Sequence, residues 1–313
     1  MSRRGHWART PAEFESIRVC RAITCERAAN FAYGLRLARE PKRSALYALY
    51  AWTRLADDIA DGPGTVETRA AALEAYAERT HAALDLCSKS GPHDEPNIWP
   101  AFTLAASAYA IDRTLLDALI EGLRSDLSGV ALETEHELET YCYRVASTVG
   151  LMCVSIWGLR TGALEAEAAR LAALRGRAFQ LTNVLRDFAE DYDSTPRRVY
   201  LPRASFEAAG LTPESLRRWN DPRASAAFIE RRVGQARHAY ETSEALDQMV
   251  SMDGRPVLRA MTSVYRTLLE RVAATPRAVA QGPSVRVPRK VKVWIAARTV
   301  GGASVAKLVG GSQ

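Results

Sequence analysis

Two helix-length segments carry aspartates along otherwise apolar lines, and this restricts the fold more than any other feature of the chain. Segment 45–61 reads ALYALYAWTRLADDIAD. On a helix advancing roughly 100° per residue, Tyr50, Arg54, Asp57 and Asp61 fall within about 60° of one another, while Asp58 lies about 100° off that line. Segment 174–192 reads LRGRAFQLTNVLRDFAEDY. There Gln180, Asn183, Asp187 and Asp191 fall within about 80° of one another. The chain has no other Asp-x-x-x-Asp pair. Acid pairs such as Glu74/Glu78, Asp117/Glu121 and Glu135/Glu139 lie among other charges and read as solvated faces. Burying one unpaired carboxylate costs several kcal/mol, so two such stripes on apolar helices need a reason.

The rest of the chain has the same helical period. Ala, Leu, Glu and Arg dominate, and strand alternation is nearly absent. The spacing predicts helices over 12–38, 42–61, 65–87, 98–110, 112–127, 136–160, 163–192, 222–247 and 254–273. The clearest interruptions are Ser88–Pro100 and Asp193–Pro213. Neither reads as an interdomain linker, and no repeat of solenoid length is present. A single all-α bundle over residues 1–275 follows, with a basic C-terminal tail over 276–313. That tail carries Arg286, Arg289, Lys290, Lys292, Arg298 and Lys307. It reads either as a solvated terminus or as a peripheral membrane contact with Trp294 at the interface.

A net charge of +6 on 313 residues is compatible with several kinds of anionic partner and selects none. No motif supports nucleic-acid binding. The five cysteines, Cys20, Cys25, Cys87, Cys142 and Cys153, are odd in number and lack Cys-x-x-Cys spacing, which points to a reducing cytosol. Arg3-Arg4 is followed by polar residues rather than the apolar core of a signal peptide. No stretch approaches the ~20 apolar residues of a spanning helix. The expected location is cytoplasmic, with the tail as the one candidate for contact with the inner face of a membrane.

Hard oxygen donors one helical turn apart suit Mg²⁺, which keeps several waters and is completed by substrate phosphates. Two facing acidic helices with Arg54 and Arg186 beside them can therefore hold metal and stabilise charge on a departing diphosphate. The cation left behind needs a dry, aromatic-lined pocket, for which Phe31, Tyr33, Tyr47, Tyr50, Tyr141, Phe179 and Phe188 are candidates. In YCYRVASTVG (141–150), the small residues Ala146, Ser147 and Gly150 allow close approach of a neighbouring helix or of a ligand. In DSTPRRVYLP (193–202), Arg197, Arg198 and Tyr200 stand on a turn that reads as a lid or as a plain surface loop.

Three strings, ALYALYAWTRLADDIADG (45–62), YCYRVASTVG and GRAFQLTNVLRDFAEDYDSTPRRVYLP (176–202), in this order resemble the squalene/phytoene synthase family over residues 17–275. The resemblance implies an isoprenoid synthase fold around a central cavity. It also implies Mg²⁺ and two prenyl diphosphate substrates condensed head to head through a cyclopropylcarbinyl diphosphate. Carried over, Asp57 and Asp61 form the first metal motif and Asp187 and Asp191 the second. Gln180, Asn183 and Arg186 support the second motif, Arg54, Arg198 and Tyr200 contact diphosphate, and Tyr50 and Tyr141 lie near the reacting carbons. The segment NFAYGLRLAREPKRSALYALY (30–50) is more similar to bacterial presqualene diphosphate synthases of hopanoid pathways. Phytoene formation from two C20 substrates is the alternative, and NADPH enters only if the reaction continues to squalene. The chain departs from the family pattern at Arg39-Glu40-Pro41, Trp52-Thr53 and Ser147.

A di-iron carboxylate bundle is the rival expectation, through Glu78-x-x-His81 and Glu133-x-x-His136. The first lies on a polar face. The second sits in an acidic run at a helix start, where carboxylates complement the dipole.

Overall fold

The computed structural model describes residues 8, 10–28, 31–85 and 97–300. His6, Cys87, His93, Lys307, Arg3-Arg4 and most of the expected Ser88–Pro100 loop lie outside them. In chain order the elements are α1 (Pro11–Arg27), α2 (Ala32–Leu35), α3 (Lys42–Ala60), α4 (Val66–Asp85), α5 (Trp99–Ala108) and α6 (Arg113–Ser125). After β1 (Val130–Ala131) come α7 (Glu135–Cys142), a π-helical turn (Tyr143–Ser147), α8 (Thr148–Trp157) and α9 (Glu165–Asp193). After β2 (Arg198–Val199) come α10 (Arg203–Glu207), α11 (Pro213–Arg218), α12 (Pro222–Thr242), α13 (Leu246–Met249), α14 (Arg255–Ala274), α15 (Pro276–Gln281) and α16 (Arg289–Val300). The architecture is all-α, as the periodicity predicts.

Local chemistry explains several boundaries. Thr10 and Glu13 form a capping box that starts α1, and Thr134 and Glu137 form another that starts α7. The acidic run before Tyr141 is thus helix-start chemistry. The expected helix over 12–38 is broken: α1 ends at Arg27 and α2 begins at Ala32, with Phe31 between them. The helix expected to run to 247 ends at Thr242, where the Ser243 side chain turns back to the carbonyls of Ala239 and Tyr240. The one ladder among the described residues is parallel, pairing Val130 with Arg198 and Ala131 with Val199. It ties down the turn that reads from sequence as a lid or as a plain surface loop, so Arg198 reaches the interior from an anchored segment.

Two apolar cores flank the middle of the bundle. One is built from α1, α3, α5, α6 and α8, with Trp52, Phe102 and Leu116 at its centre. The other is built from α7, α9, α12 and α14, with Phe206, Phe228 and Tyr240. Phe31 and Phe179 pack against both. Between the cores α9 and the π-turn cross with almost no separation: a Cβ on Gly176 would lie 2.6 Å from Ser147 Cα and 2.7 Å from the Ala146 carbonyl oxygen. Only glycine permits this crossing. The small residues of 141–150 thus serve helix packing, while Ala146 and Gly150 also face the central cavity.

Among the described residues, part of the stretch expected as a separate tail is built into the bundle. α16 packs on α14 and α2, and residues 284–287 pass over the cavity mouth. No described helix is long and apolar enough to cross a membrane. Cys20, Cys25, Cys142 and Cys153 are free thiols.

Candidate active site

A cavity of about 890 Å³ runs between the two cores, near the upper end of the usual range for ligand pockets. Three helical stripes define its long axis. On α3 the stripe runs from Leu46 to Asp61, and on α9 from Ala172 to Asp191. Along α7, the π-turn and α8 it runs from Tyr141 to Trp157. Polar residues collect at the Asp61, Asp191 and Tyr141 ends, and the rest is mostly apolar, with Arg175 an exception. The rise of about 1.5 Å per residue makes each stripe roughly 20–28 Å long.

All twelve residues singled out from sequence line this one cavity: Tyr50, Arg54, Asp57, Asp61, Tyr141, Gln180, Asn183, Arg186, Asp187, Asp191, Arg198 and Tyr200. The decisive contact is made by Arg198. Its Nη1 donates to Asp61 Oδ1 at 2.9 Å, and its Nε lies 3.6 Å from Asp191 Oδ1. One guanidinium therefore spans the two acid motifs. Arg186 grips Asp187 through both carboxylate oxygens, with Nε to Oδ1 at 2.7 Å. Asp58 is not among the lining residues and pairs with Arg54 and with Arg27 at 3.8 Å. Tyr141 and Tyr200 stack with ring centroids 4.6 Å apart, and Tyr141 Oη donates to Asp126 Oδ2 at 3.1 Å. Arg69 fixes the acidic end of α3 from behind, donating to the Ala60 carbonyl at 2.7 Å and to that of Leu127 at 3.1 Å.

Acids gathered out of water hold their protons. Burial pushes Asp57 up to about 7, opposed by Arg54 and reinforced by Asp61, Asp58 and Asp126. Asp191 is also pushed to about 7, by burial first, with Arg198 opposing and Asp187 and Glu190 reinforcing. Asp126 reaches about 7 for the same primary reason. Facing them, Lys292 is held below its usual value by burial and then by Arg186 and Arg286. Clustered cations beside clustered acids make a seat for a multiply charged anion bridged by a cation.

A family model for squalene/phytoene synthase matches residues 26–291. The chain belongs to the squalene/phytoene synthase family. It is 33% identical over 270 residues to the 15-cis-phytoene synthase of Synechococcus elongatus, covering 82% of this chain and 83% of that protein. Among solved structures it is similar to a dehydrosqualene synthase in complex with ligand, with TM-score 0.78 and 25% identity over 92% of this chain and 96% of that one. It is likewise similar to the squalene synthase HpnC from Alicyclobacillus acidocaldarius, with TM-score 0.72 and 25% identity over 87% and 99% of the two chains. The bundle thus has the isoprenoid synthase fold.

The donor set of this family member fits a hard divalent cation. Asn183 Oδ1 and Asp126 Oδ1 are buried acceptors without a hydrogen-bond partner, and Asp57 and Asp191 add carboxyls that burial and neighbouring acids hold above their usual range. No group of three His, Cys, Asp or Glu among the described residues could hold a metal by itself. Mg²⁺ takes one or two carboxylates and relies on phosphate oxygens for the rest. The di-iron pairs do not meet: His81 Nε2 lies 2.6 Å from Asp117 on the surface, and Glu133 binds Arg203.

Several polar residues of the site escaped the sequence reasoning, Asp126, Ser284, Arg286 and Lys292 among them. Asp126 ends α6 with no second acid at helical spacing to draw attention to it. Ser284, Arg286 and Lys292 belong to the supposed tail; Ser284 Oγ donates to Asp187 Oδ1 at 3.2 Å and to Glu190 Oε2 at 3.0 Å. Of the aromatic candidates, Phe31, Tyr50, Tyr141 and Phe179 line the cavity, joined by Tyr200, Tyr265 and Trp157. Tyr47 and Phe188 are buried in the cores instead, and Tyr33 is not among the lining residues.

Proposed function

We propose that this protein condenses two prenyl diphosphates head to head, and that the substrates are two farnesyl diphosphates giving presqualene diphosphate. The observation that carries the reading is the Arg198 bridge from Asp61 to Asp191 at the polar end of a long apolar chamber. Asp57, Asp61, Asp187 and Asp191, with Asn183 beside them, would hold Mg²⁺, which neutralises charge on a departing diphosphate. Arg54, Arg186 and Arg198, with Arg286 and Lys292 at the mouth, bind and orient the diphosphates. Tyr50, Phe179 and Tyr265 place ring faces along the chamber where an allylic cation forms, and the apolar walls exclude water from it. Phytoene formation from two C20 diphosphates is the second reading, favoured by the Synechococcus relative.

The test is to incubate purified protein with Mg²⁺ and farnesyl or geranylgeranyl diphosphate, with and without NADPH, and to identify the products. Presqualene diphosphate from the C15 substrate is expected, passing to squalene only if NADPH is used. Phytoene from the C20 substrate alone overturns the C15 assignment, and absence of any coupled product overturns the reaction class.

A peripheral membrane contact belongs to the same proposal. The exposed side of α16 carries Arg289, Lys290, Trp294 and Arg298, with Trp294 58% exposed and the Arg298 guanidinium 5.1 Å from its ring centroid. Co-sedimentation with anionic vesicles is expected, weakened severalfold by Trp294→Ala combined with Lys290→Ala; equal binding by the variant would remove α16 from the contact.

A further inference from the structure

Trp157 is the largest side chain at the apolar end of the cavity. Leu46 on α3, Ala172 on α9 and Trp157 on α8 are the lining residues furthest along each stripe from the acids. Of these Trp157 is by far the bulkiest, and it is 3% exposed. It is also held from several sides. Its carbonyl oxygen accepts from Lys42 Nζ at 2.6 Å and lies 2.5 Å from Ser251 Oγ. Asp253 Oδ1 accepts from Lys42 Nζ at 2.9 Å and lies 2.6 Å from Ser251 Oγ, whose one proton serves either oxygen. Behind the ring, the start of α14 presses close: a Cβ on Gly254 would stand 2.6 Å from Trp157 Cβ and 3.1 Å from Cγ. The root of the Trp157 side chain is therefore packed against the start of α14.

The ring's polar atom is left unused. Trp157 Nε1 is buried without a hydrogen-bond partner, although a buried indole N–H usually finds one. A site selected only for packing would be served by Leu or Phe without that loss. That N–H has no accessible surface, so Trp157 presents no polar side-chain atom to the cavity. Arg175, also on the wall, likewise turns its guanidinium away, to Ser243, Thr262 and Asp247.

We infer that Trp157 is the end-stop of the prenyl channel and determines the longest substrate accepted. This rests on the prenyl diphosphate reading above. The backbone clamps on Trp157 do not involve its side chain, so Trp157→Ala and Trp157→Leu retain them. Rates with C15, C20 and C25 diphosphates should be compared, together with affinities for the matching unreactive thiolodiphosphates.

A pocket wall discriminates by roughly 10–200-fold per small apolar increment. Both small variants are therefore expected to raise kcat/KM for the next longer substrate, relative to the preferred one, by at least about 10-fold. The thiolodiphosphate affinities should shift the same way, while Trp157→Phe keeps the length limit. Folded small variants with an unchanged length limit in both assays overturn the end-stop. If wild type makes no coupled product yet its thiolodiphosphate length limit moves in Trp157→Leu, the reaction fails and the end-stop stands.

Discussion

Asp57→Asn and Asp187→Asn are each expected to lower turnover of a prenyl diphosphate by about 10²–10³-fold or more while helical content stays unchanged. The two acids stand on different helices, α3 and α9, whose acidic ends are joined by Arg198. Each substitution keeps the shape and one oxygen but removes charge where a bound cation and a departing diphosphate would meet. The fold should survive because neither carboxylate is a structural necessity. Asp57 lies among other acids, and Asn at 187 still offers Arg186 an oxygen. Diphosphate release measured alongside far-ultraviolet circular dichroism separates the two effects. Unimpaired turnover in both variants would remove the acid motifs from the chemistry.

The aspartates were legible from sequence because helical geometry converts spacing into direction. Four residues apart on an apolar helix means one line facing inward, and two such lines in one chain have little else to face than each other. The same rule sets Asp58 aside, and it is not among the lining residues, pairing with Arg54 and Arg27. Residues without a periodic partner were not legible. Asp126 ends α6 alone, and it becomes part of the site only because Tyr141 and Tyr200 converge on it in three dimensions. Ser284, Arg286 and Lys292 were visible as a polar, basic stretch, but nothing in their spacing shows that the chain doubles back over the cavity mouth. The break between α1 and α2 was missed for a related reason. Residues 28–31 carry no Gly or Pro, so nothing local marks the point where Phe31 is placed between the two cores. What spacing cannot supply is the return path of the chain.

The same crowding of acids implies a pH dependence of opposite sign to the usual carboxylate case. In the substrate-free protein Asp57, Asp126 and Asp191 keep their protons to about 7, against an ordinary value of 3.8. Between those values the folded form binds more protons than the unfolded one. The stability these groups contribute is therefore present in full below about pH 4 and is lost as pH rises through about 7. A shift of three units on one isolated group corresponds to about 4 kcal/mol. Because the acids share one field their effects do not add, and a total of roughly 2–4 kcal/mol is expected between pH 4 and pH 8. Other groups titrate in the same range, so the informative quantity is the difference between wild type and Asp57→Asn in denaturant unfolding. That difference should be near zero at pH 4.5 and favour the variant by about 1–3 kcal/mol at pH 8. Mg²⁺ with inorganic pyrophosphate should raise the midpoint of wild type at pH 8 far more than that of Asp57→Asn, since a ligand stabilises only the state that binds it. A variant that gains stability while losing turnover would show that these acids are kept for chemistry at the expense of the fold. If Asp57→Asn is equally or less stable at pH 8, or its difference from wild type is flat with pH, burial and neighbouring acids do not dominate the field at Asp57.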